Sequence, residues 1–263
     1  MTRKRLVVAN WKMYLESADG AKEYARALKR KMKGLTGVEV AIAAPAPFIS
    51  EVAAILESTP VRIGAQTVSG YTGAHTGEMS AAMARSVGAD FAIIGHSERR
   101  ALLRQGYEGQ AFEPKINEQV HRELVQAASA GLMPVLCVGE LAHSEDGAHV
   151  AFVAEQLRSA LVGAQSLAGK LVVAYEPVWA IGKTASDAMK PAEVREMVIF
   201  IRKTLADILD RKLALKVPVL YGGSVEPDNA RGLIEEGDVA GFLVGHASAD
   251  VATFFEIVSQ CKK

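Results

Sequence analysis

The chain has few cysteines, no excess of charge of either sign and no long apolar run. Its two cysteines cannot form a disulfide framework, which favours a reducing, cytoplasmic setting. Thirty basic and thirty acidic side chains cancel, so no overall field is directed at nucleic acid or a membrane surface. No apolar stretch could span a bilayer, and the one after the basic first residues is too short for a signal peptide. We therefore predict a cytoplasmic protein that binds neither nucleic acid nor membranes.

The sequence also lacks a low-complexity linker and a Gly-x-Gly-x-x-Gly motif after its first apolar run. Length alone allows either one large barrel or two smaller domains. The missing motif lowers the expectation of a dinucleotide-binding sheet, and no change of composition marks a domain boundary. Hydrophobic residues make up 49% of the chain, which is enough for one large core.

What the chain does contain is a repeating unit of a β-branched run, a short polar loop and a helical pattern. Eight runs predict strands at residues 5–10, 38–43, 61–65, 90–95, 133–138, 171–176, 217–222 and 240–245. They do not alternate between apolar and polar residues, which is typical of a parallel sheet covered by helices. Helical periodicity predicts helices near 21–32, closed by Gly34, and at 113–130, 148–161 and 191–210. Eight such units favour an α/β fold, a (β/α)8 barrel that forms a single domain over residues 1–263.

Polar or glycine-rich segments follow five of the predicted strands, and in a barrel all of them face one mouth. They are Asn10 to Lys12, Gly95 to Arg100, Glu176, Tyr221 to Ser224 and Gly245 to Ser248.

Glu176 stands at the end of a buried strand, and Pro177 holds it in an extended conformation. The following Val178-Trp179 and a small tip ending at Gly182 indicate a hinge and a lid. A carboxylate below a lid is suited to be a general base that is closed off from water. A strand-terminal Glu that caps a neighbouring helix fits the same pattern.

His96 lies between a strand end and a predicted helix start that carries Glu98. The positive end of that helix would keep the imidazole neutral and able to donate a hydrogen bond to a carbonyl oxygen. A histidine that only caps its own helix is the alternative. Lys12 would place a fixed positive charge in the same mouth, unless it extends along the surface towards solvent.

The last two strand ends indicate a phosphate site. Glycines at Gly222, Gly223 and Gly245 let backbone N–H groups approach an anion, and each segment leads into a predicted helix start. Two ordinary loops between strand and helix are the alternative, but their joint occurrence favours phosphate. A base, a neutral imidazole, a lysine and a phosphate site under a lid suit proton abstraction beside a carbonyl of a small sugar phosphate, through an enediolate.

Two other patterns predict no site. Gly182-Lys183-Thr184 is similar to the end of a nucleotide-binding P-loop, but Pro177 occupies the position of the first required glycine. His143 and His149 have no spacing typical of metal ligands, so we expect no bound metal.

Longer motifs are similar to those of the triosephosphate isomerase family, in the same order along the whole chain. They are Asn10 to Met13, Gly73 to Glu78, Ile94 to Arg100, Cys137 to Glu140, Ala174 to Gly182 and Tyr221 to Val225. The resemblance implies a TIM barrel that interconverts dihydroxyacetone phosphate and glyceraldehyde 3-phosphate, in glycolysis and gluconeogenesis, without a cofactor. It also implies a homodimer in which the loop around Thr76 reaches towards the partner's active site.

The resemblance further implies a role for each site residue. Glu176 would be the base and His96 the electrophile, as in this family, while Asn10 and Lys12 bind substrate and Glu98 orients Lys12. The phosphate would be held by backbone N–H groups of Gly182, Ser224, Gly245 and His246. The phosphate site and the lid would be supported by Tyr221, Gly223 and Ser224.

Three positions depart from the family pattern. Gly182 leads directly into Lys183-Thr184-Ala185, so the lid tip is expected to be two residues short. His246 replaces a usual glycine, and Tyr14 replaces a usual asparagine. The shorter lid leaves two alternatives, an isomerase of the same mechanism for another small sugar phosphate such as a tetrulose phosphate, and a barrel that does not catalyse.

Overall fold

The computed structural model describes residues 4–106, 112–182 and 188–262, and these residues form one closed barrel. Its eight strands run parallel in chain order, and β8 pairs with β1 to close the sheet. The strands are β1 (Arg5–Asn10), β2 (Val38–Ala44), β3 (Arg62–Ala65), β4 (Phe91–Ile94), β5 (Met133–Val138), β6 (Val172–Tyr175), β7 (Val219–Tyr221) and β8 (Gly241–Val244). The predicted α/β barrel is therefore confirmed.

Ten α-helices lie outside the barrel within the described residues. They are α1 (Ala18–Lys31), α2 (Ile49–Leu56), α3 (Ala81–Ser86), α4 (Ser97–Gln105), α5 (Phe112–Ser129), α6 (Ala148–Leu161), α7 (Pro191–Ile208), α8 (Arg211–Ala214), α9 (Pro227–Glu235) and α10 (Val251–Gln260). Short 3-10 helices occupy Ala46–Phe48, Gln165–Gly169, Val178–Ala180 and His246–Ser248. Among the residues described, no helix is both long and apolar enough to cross a membrane.

The strands lack polar alternation because both of their faces are buried. Along β1, Leu6 and Val8 pack inside the barrel, whereas Val7 and Ala9 pack against the helices. The inner core is small, and Gly64 leaves room in it because a Cβ there would lie 2.5 Å from the ring of Phe91. A filled barrel interior confines any binding site to the loops at its ends.

Several element boundaries differ from the prediction, and local hydrogen bonds explain the differences. The predicted helix at 191–210 ends at Ile208, because the Asp210 carboxylate accepts hydrogen bonds from the N–H groups of Lys212 and Leu213 and starts α8. Most of the predicted strands extend one or two residues beyond the paired ladder. Glu176 and Gly222 keep one bond each to a neighbouring strand, 2.8 Å in both cases, but lie just past the strand end.

Candidate active site

A cavity of about 260 Å³ opens at the carboxyl ends of the strands. Segments after β1, β4, β6, β7 and β8 line it, and they bring together the residues singled out in the sequence. Those in its wall are Asn10, Lys12, His96, Glu176, Gly182, Gly223, Ser224, Gly245 and His246. Glu98 contacts this group through Lys12, and the buried Tyr221 hydroxyl lies close to Gly223.

Glu176 and His96 form the centre of this cavity. The Glu176 side chain is 2% exposed, and its Oε1 lies 3.2 Å from His96 Nε2. Its Oε2 accepts a hydrogen bond of 2.9 Å from the backbone N–H of Ser97, the first residue of α4. Glu176 therefore does bind the start of a neighbouring helix, as one sequence interpretation expected, while it also faces the cavity.

The tautomer of His96 follows from its own hydrogen bonds. Its Nδ1 accepts from the backbone N–H of Glu98 at 3.2 Å, so this imidazole also caps α4. An accepting Nδ1 carries no proton, which places the proton of the neutral ring on Nε2. The cap thus orients Nε2–H towards the cavity, and the two sequence interpretations of His96 are compatible.

Lys12 is held in an unusual backbone conformation, with φ of 46°. A left-handed backbone at a non-glycine residue is strained and persists only where neighbours hold it. Here the Lys12 N–H donates to Asn10 Oδ1 at 3.2 Å, and Gln66 Nε2 donates to the Lys12 carbonyl at 2.9 Å. Its ammonium lies 2.7 Å from Glu98 Oε1. Lys12 is therefore fixed in the wall of the cavity and does not extend freely into solvent.

The loops after β7 and β8 complete the wall, and a Cβ on Gly245 would lie 3.5 Å from the Lys12 ammonium. Gly223 has no room for a side chain, because a Cβ there would collide with the buried Tyr221 hydroxyl. Ser224 Oγ donates a hydrogen bond of 3.1 Å to the carbonyl of Ala180 and so connects the β7 loop to the lid. Gly182 lines the same cavity, but Lys183 to Ala185, where a lid tip two residues short was predicted, lie outside the described residues.

Glu140 anchors Trp179, in the predicted hinge of the lid, by a contact that the sequence analysis did not expect. Its Oε1 accepts from Trp179 Nε1 at 2.6 Å and from the Tyr175 hydroxyl at 2.9 Å. Burial, followed by the charge of Glu140, raises the pKa of Tyr175, so the phenol remains a donor. The sequence signal that could have indicated it is the motif Cys137 to Glu140, which ends two residues past β5.

Buried groups lie directly beneath Glu176. Burial, and then the nearby Glu176, raise the pKa of the Cys137 thiol well above its usual range. Burial lowers the pKa of Arg100 to about 10, which leaves it charged at neutral pH. Arg100 donates to the carbonyl of Gly95 and to Asn117 Oδ1, both at 2.9 Å. A neutral thiol and a fixed cation therefore support the segment that carries His96.

The structure accommodates two of the family departures together. The His246 ring packs edge-on against the Tyr14 ring, with centroids 5.3 Å apart and planes at 74°. His143 and His149 also pack together, at 4.4 Å, and no cluster of three or more potential metal ligands occurs among the residues that the structure describes.

Comparisons with known proteins agree with this geometry. The family model described as Triosephosphate isomerase matches residues 5–261. Triosephosphate isomerase of Carboxydothermus hydrogenoformans is 40% identical over 261 residues, which cover 97% of this chain and 98% of that protein. The Stenotrophomonas maltophilia (strain K279a) enzyme of the same name is 41% identical over 262 residues, covering 97% of each.

A solved structure gives the same result. The crystal structure of triosephosphate isomerase from Bartonella henselae superposes with a TM-score of 0.83 at 30% identity, over 98% of this chain and 99% of that one. With a catalytic-type Glu–His pair at the mouth of the same barrel, the chain belongs to the triosephosphate isomerase family.

Proposed function

We propose that the protein interconverts dihydroxyacetone phosphate and D-glyceraldehyde 3-phosphate by proton transfer through an enediolate. The observation that carries the proposal is the 3.2 Å approach of Glu176 Oε1 to His96 Nε2 in a cavity of about 260 Å³. A carboxylate and an imidazole this close can act on adjacent carbons of one three-carbon substrate.

In the forward direction, Glu176 removes a proton from C1 of dihydroxyacetone phosphate. The C–H electron pair forms the C1=C2 bond, and negative charge develops on the C2 oxygen. His96 Nε2–H donates a hydrogen bond to that oxygen, and the Lys12 ammonium stabilises the charge. Glu176 then returns a proton to C2 while a proton passes from the C1 hydroxyl to the C2 oxygen, which yields the aldehyde without net oxidation.

The glycine-rich wall is assigned to the phosphate group. Backbone N–H groups of Gly182, Ser224, Gly245 and His246 would hold it, and Asn10 with Lys12 would bind the remainder of the substrate. The hydrogen bond from Ser224 to Ala180 supports a lid that closes over this site. Exclusion of water matters because an enediolate phosphate can otherwise eliminate its phosphate.

The direct test is Glu176→Gln, which keeps an oxygen acceptor but cannot remove a proton. We expect kcat to fall by about 10²- to 10⁴-fold in an assay coupled to NADH oxidation, with an unfolding temperature near that of the parent. Glu256→Gln, at an exposed position on α10, is the matched control. Parental turnover in Glu176→Gln would refute the base assignment, and faster turnover of a four-carbon ketose phosphate would assign another substrate.

We also propose a cytoplasmic homodimer. Residues 71–78, in the loop after β3, are all exposed, and Met13 and Met83 are exposed by 81% and 59%. Exposed apolar side chains favour a protein partner. Cys137 and Cys261 are unpaired and buried, which fits a reducing compartment. Sedimentation should give a dimer that Thr76→Arg dissociates, and a monomer for the parent would contradict the proposal.

A further inference from the structure

The Tyr14 and His246 side chains form an unassigned pair at the phosphate end of the cavity. His246 opens the 3-10 helix after β8, and Tyr14 lies two residues beyond Lys12. Both residues line the same cavity as Lys12, Ser224 and Gly245. Their edge-to-face contact, at 5.3 Å and 74°, gives the imidazole a fixed neighbour.

Both partners of this contact are attached to well-held backbone. The Tyr14 N–H donates to the Trp11 carbonyl at 3.0 Å, close to the hydrogen bonds that fix Lys12. Beyond the His246 residue, the N–H of Ser248 donates to the Gly245 carbonyl at 2.9 Å. Within the parts of the chain that the structure describes, neither ring nitrogen of His246 has a hydrogen-bond partner. The imidazole is therefore restrained while its polar atoms stay available to a ligand.

The charges around the cavity leave a role for another cation. Lys12 is the fixed cation of this wall, and Glu98 already partners it at 2.7 Å. Glu176 and Glu226 are carboxylates of the same cavity, and His96 and the Tyr14 phenol are its other titratable groups. Asp250, close by in the chain, is occupied by the N–H groups of Ala252 and Thr253 as the cap of α10. Among the described residues that line the cavity, the one lysine that a doubly charged phosphate would meet is thus shared with a carboxylate.

We infer that the His246 side chain, held by Tyr14, is a specificity-determining residue that donates a charge-assisted hydrogen bond to the phosphate of the substrate and favours its dianion. The inference rests on the proposed function only in placing a phosphate at this end of the cavity. It differs from the assignment of the His246 backbone N–H, because it depends on the side chain.

The consequence is a pH dependence of anion binding with a defined sign. Histidine side chains ordinarily gain a proton below about pH 6.5, and an imidazolium binds a dianion better than a neutral ring does. Binding of the dianion in turn favours the protonated ring. Affinity should therefore be highest at low pH and decrease as pH rises.

Inorganic sulfate is the probe, because it stays a dianion across this range and any pH dependence then belongs to the protein. Its dissociation constant is measured by calorimetry from about pH 5.5 to about pH 8.5. For the parent, we expect affinity to fall about tenfold over this range, as for loss of one charge-assisted hydrogen bond. His246→Ala should bind sulfate more weakly at low pH and show a nearly flat profile.

Three further variants separate the side chain from other causes. His246→Gln keeps a donor without a charge, so it should recover part of the affinity and none of the pH dependence. Tyr14→Phe keeps the ring contact and should keep the parental profile, whereas Tyr14→Ala should weaken sulfate binding as His246→Ala does. In turnover assays, His246→Ala should raise KM for the triose phosphate more than it lowers kcat.

A parental pH profile in folded His246→Ala would overturn the inference and assign the effect to another group such as His96. A flat profile in the parent would overturn it as well. Calorimetry does not require turnover, so sulfate binding that depends on His246 in an inactive protein would contradict the proposed function and leave this subsite intact.

Discussion

Gly222→Ala should lower kcat about 10²-fold while leaving the protein folded. A Cβ at this position would stand 2.9 Å from Glu176 Cγ and 3.4 Å from the Tyr175 carbonyl oxygen. Carbon atoms in contact need about 3.5–4.0 Å, so the Glu176 side chain must move by up to about 1 Å. It has little freedom to do so, because its carboxylate is bonded to Ser97 N–H at 2.9 Å and lies 3.2 Å from His96 Nε2.

The size of the effect follows from that displacement. A misplacement of about 1 Å at a reacting group can cost about 10²-fold in rate, which corresponds to about 2.7 kcal/mol of transition-state stabilisation. The added methyl group should destabilise the fold by about 1–3 kcal/mol. The coupled assay gives kcat, and thermal unfolding shows that the variant is folded at the assay temperature.

Gly169→Ala is the matched control, because a Cβ there meets no atom within 4 Å. It should keep both the parental kcat and the parental unfolding temperature. If Gly222→Ala retained kcat within about threefold, the contact of Gly222 with Glu176 would not govern the position of the base, and the reasoning from geometry to rate would fail.

Further predictions concern stability, thiol reactivity and the lid. Tyr175→Phe removes a donor from the buried Glu140 carboxylate and should lower the free energy of unfolding by about 1.5–3 kcal/mol in urea titrations; an unchanged midpoint would show that this bond contributes nothing. Burial raises the pKa of Cys261 to about 12 and that of Cys137 well above its usual range, so thiolate is suppressed at pH 8. A disulfide reagent should therefore modify neither thiol in the native protein and both after unfolding, and rapid native labelling would contradict their burial. Ser224→Ala loses the bond to the Ala180 carbonyl and should raise KM roughly fivefold, as for about 1 kcal/mol; a KM equal to that of the parent would remove this bond from lid closure.

The sequence was sufficient to predict the barrel, because strands that are buried on both faces leave a recognisable apolar pattern. Runs such as Leu171 to Tyr175 carry no polar alternation, and that pattern together with eight repeats predicts closure. The exact ends of helices and strands were less predictable, because they depend on local hydrogen bonds that the hydrophobic pattern does not describe. Asp210, for instance, separates α7 from α8 by capping the second helix with its carboxylate.

The site was predictable only where a rule of topology applies. Lys12, His96 and Glu176 were expected together because each follows a strand end, and the structure places them in one cavity. Glu140 below Trp179 and the contact of Tyr14 with His246 were not expected, because they depend on side-chain directions between segments far apart in the sequence. The roles of all these residues stay predictions until the variants are measured.

The first turn of α4 binds both the His96 ring and the Glu176 carboxylate through consecutive main-chain amides. The proposed electrophile and the proposed base therefore depend on the same helix turn, so a change in the position of this turn affects both side chains. A shift of this turn would disturb the protonation of one and the resting position of the other at once. The Glu98 carboxylate extends this coupling to Lys12, because it lies 2.7 Å from the Lys12 ammonium and 3.8 Å from His96 Nδ1.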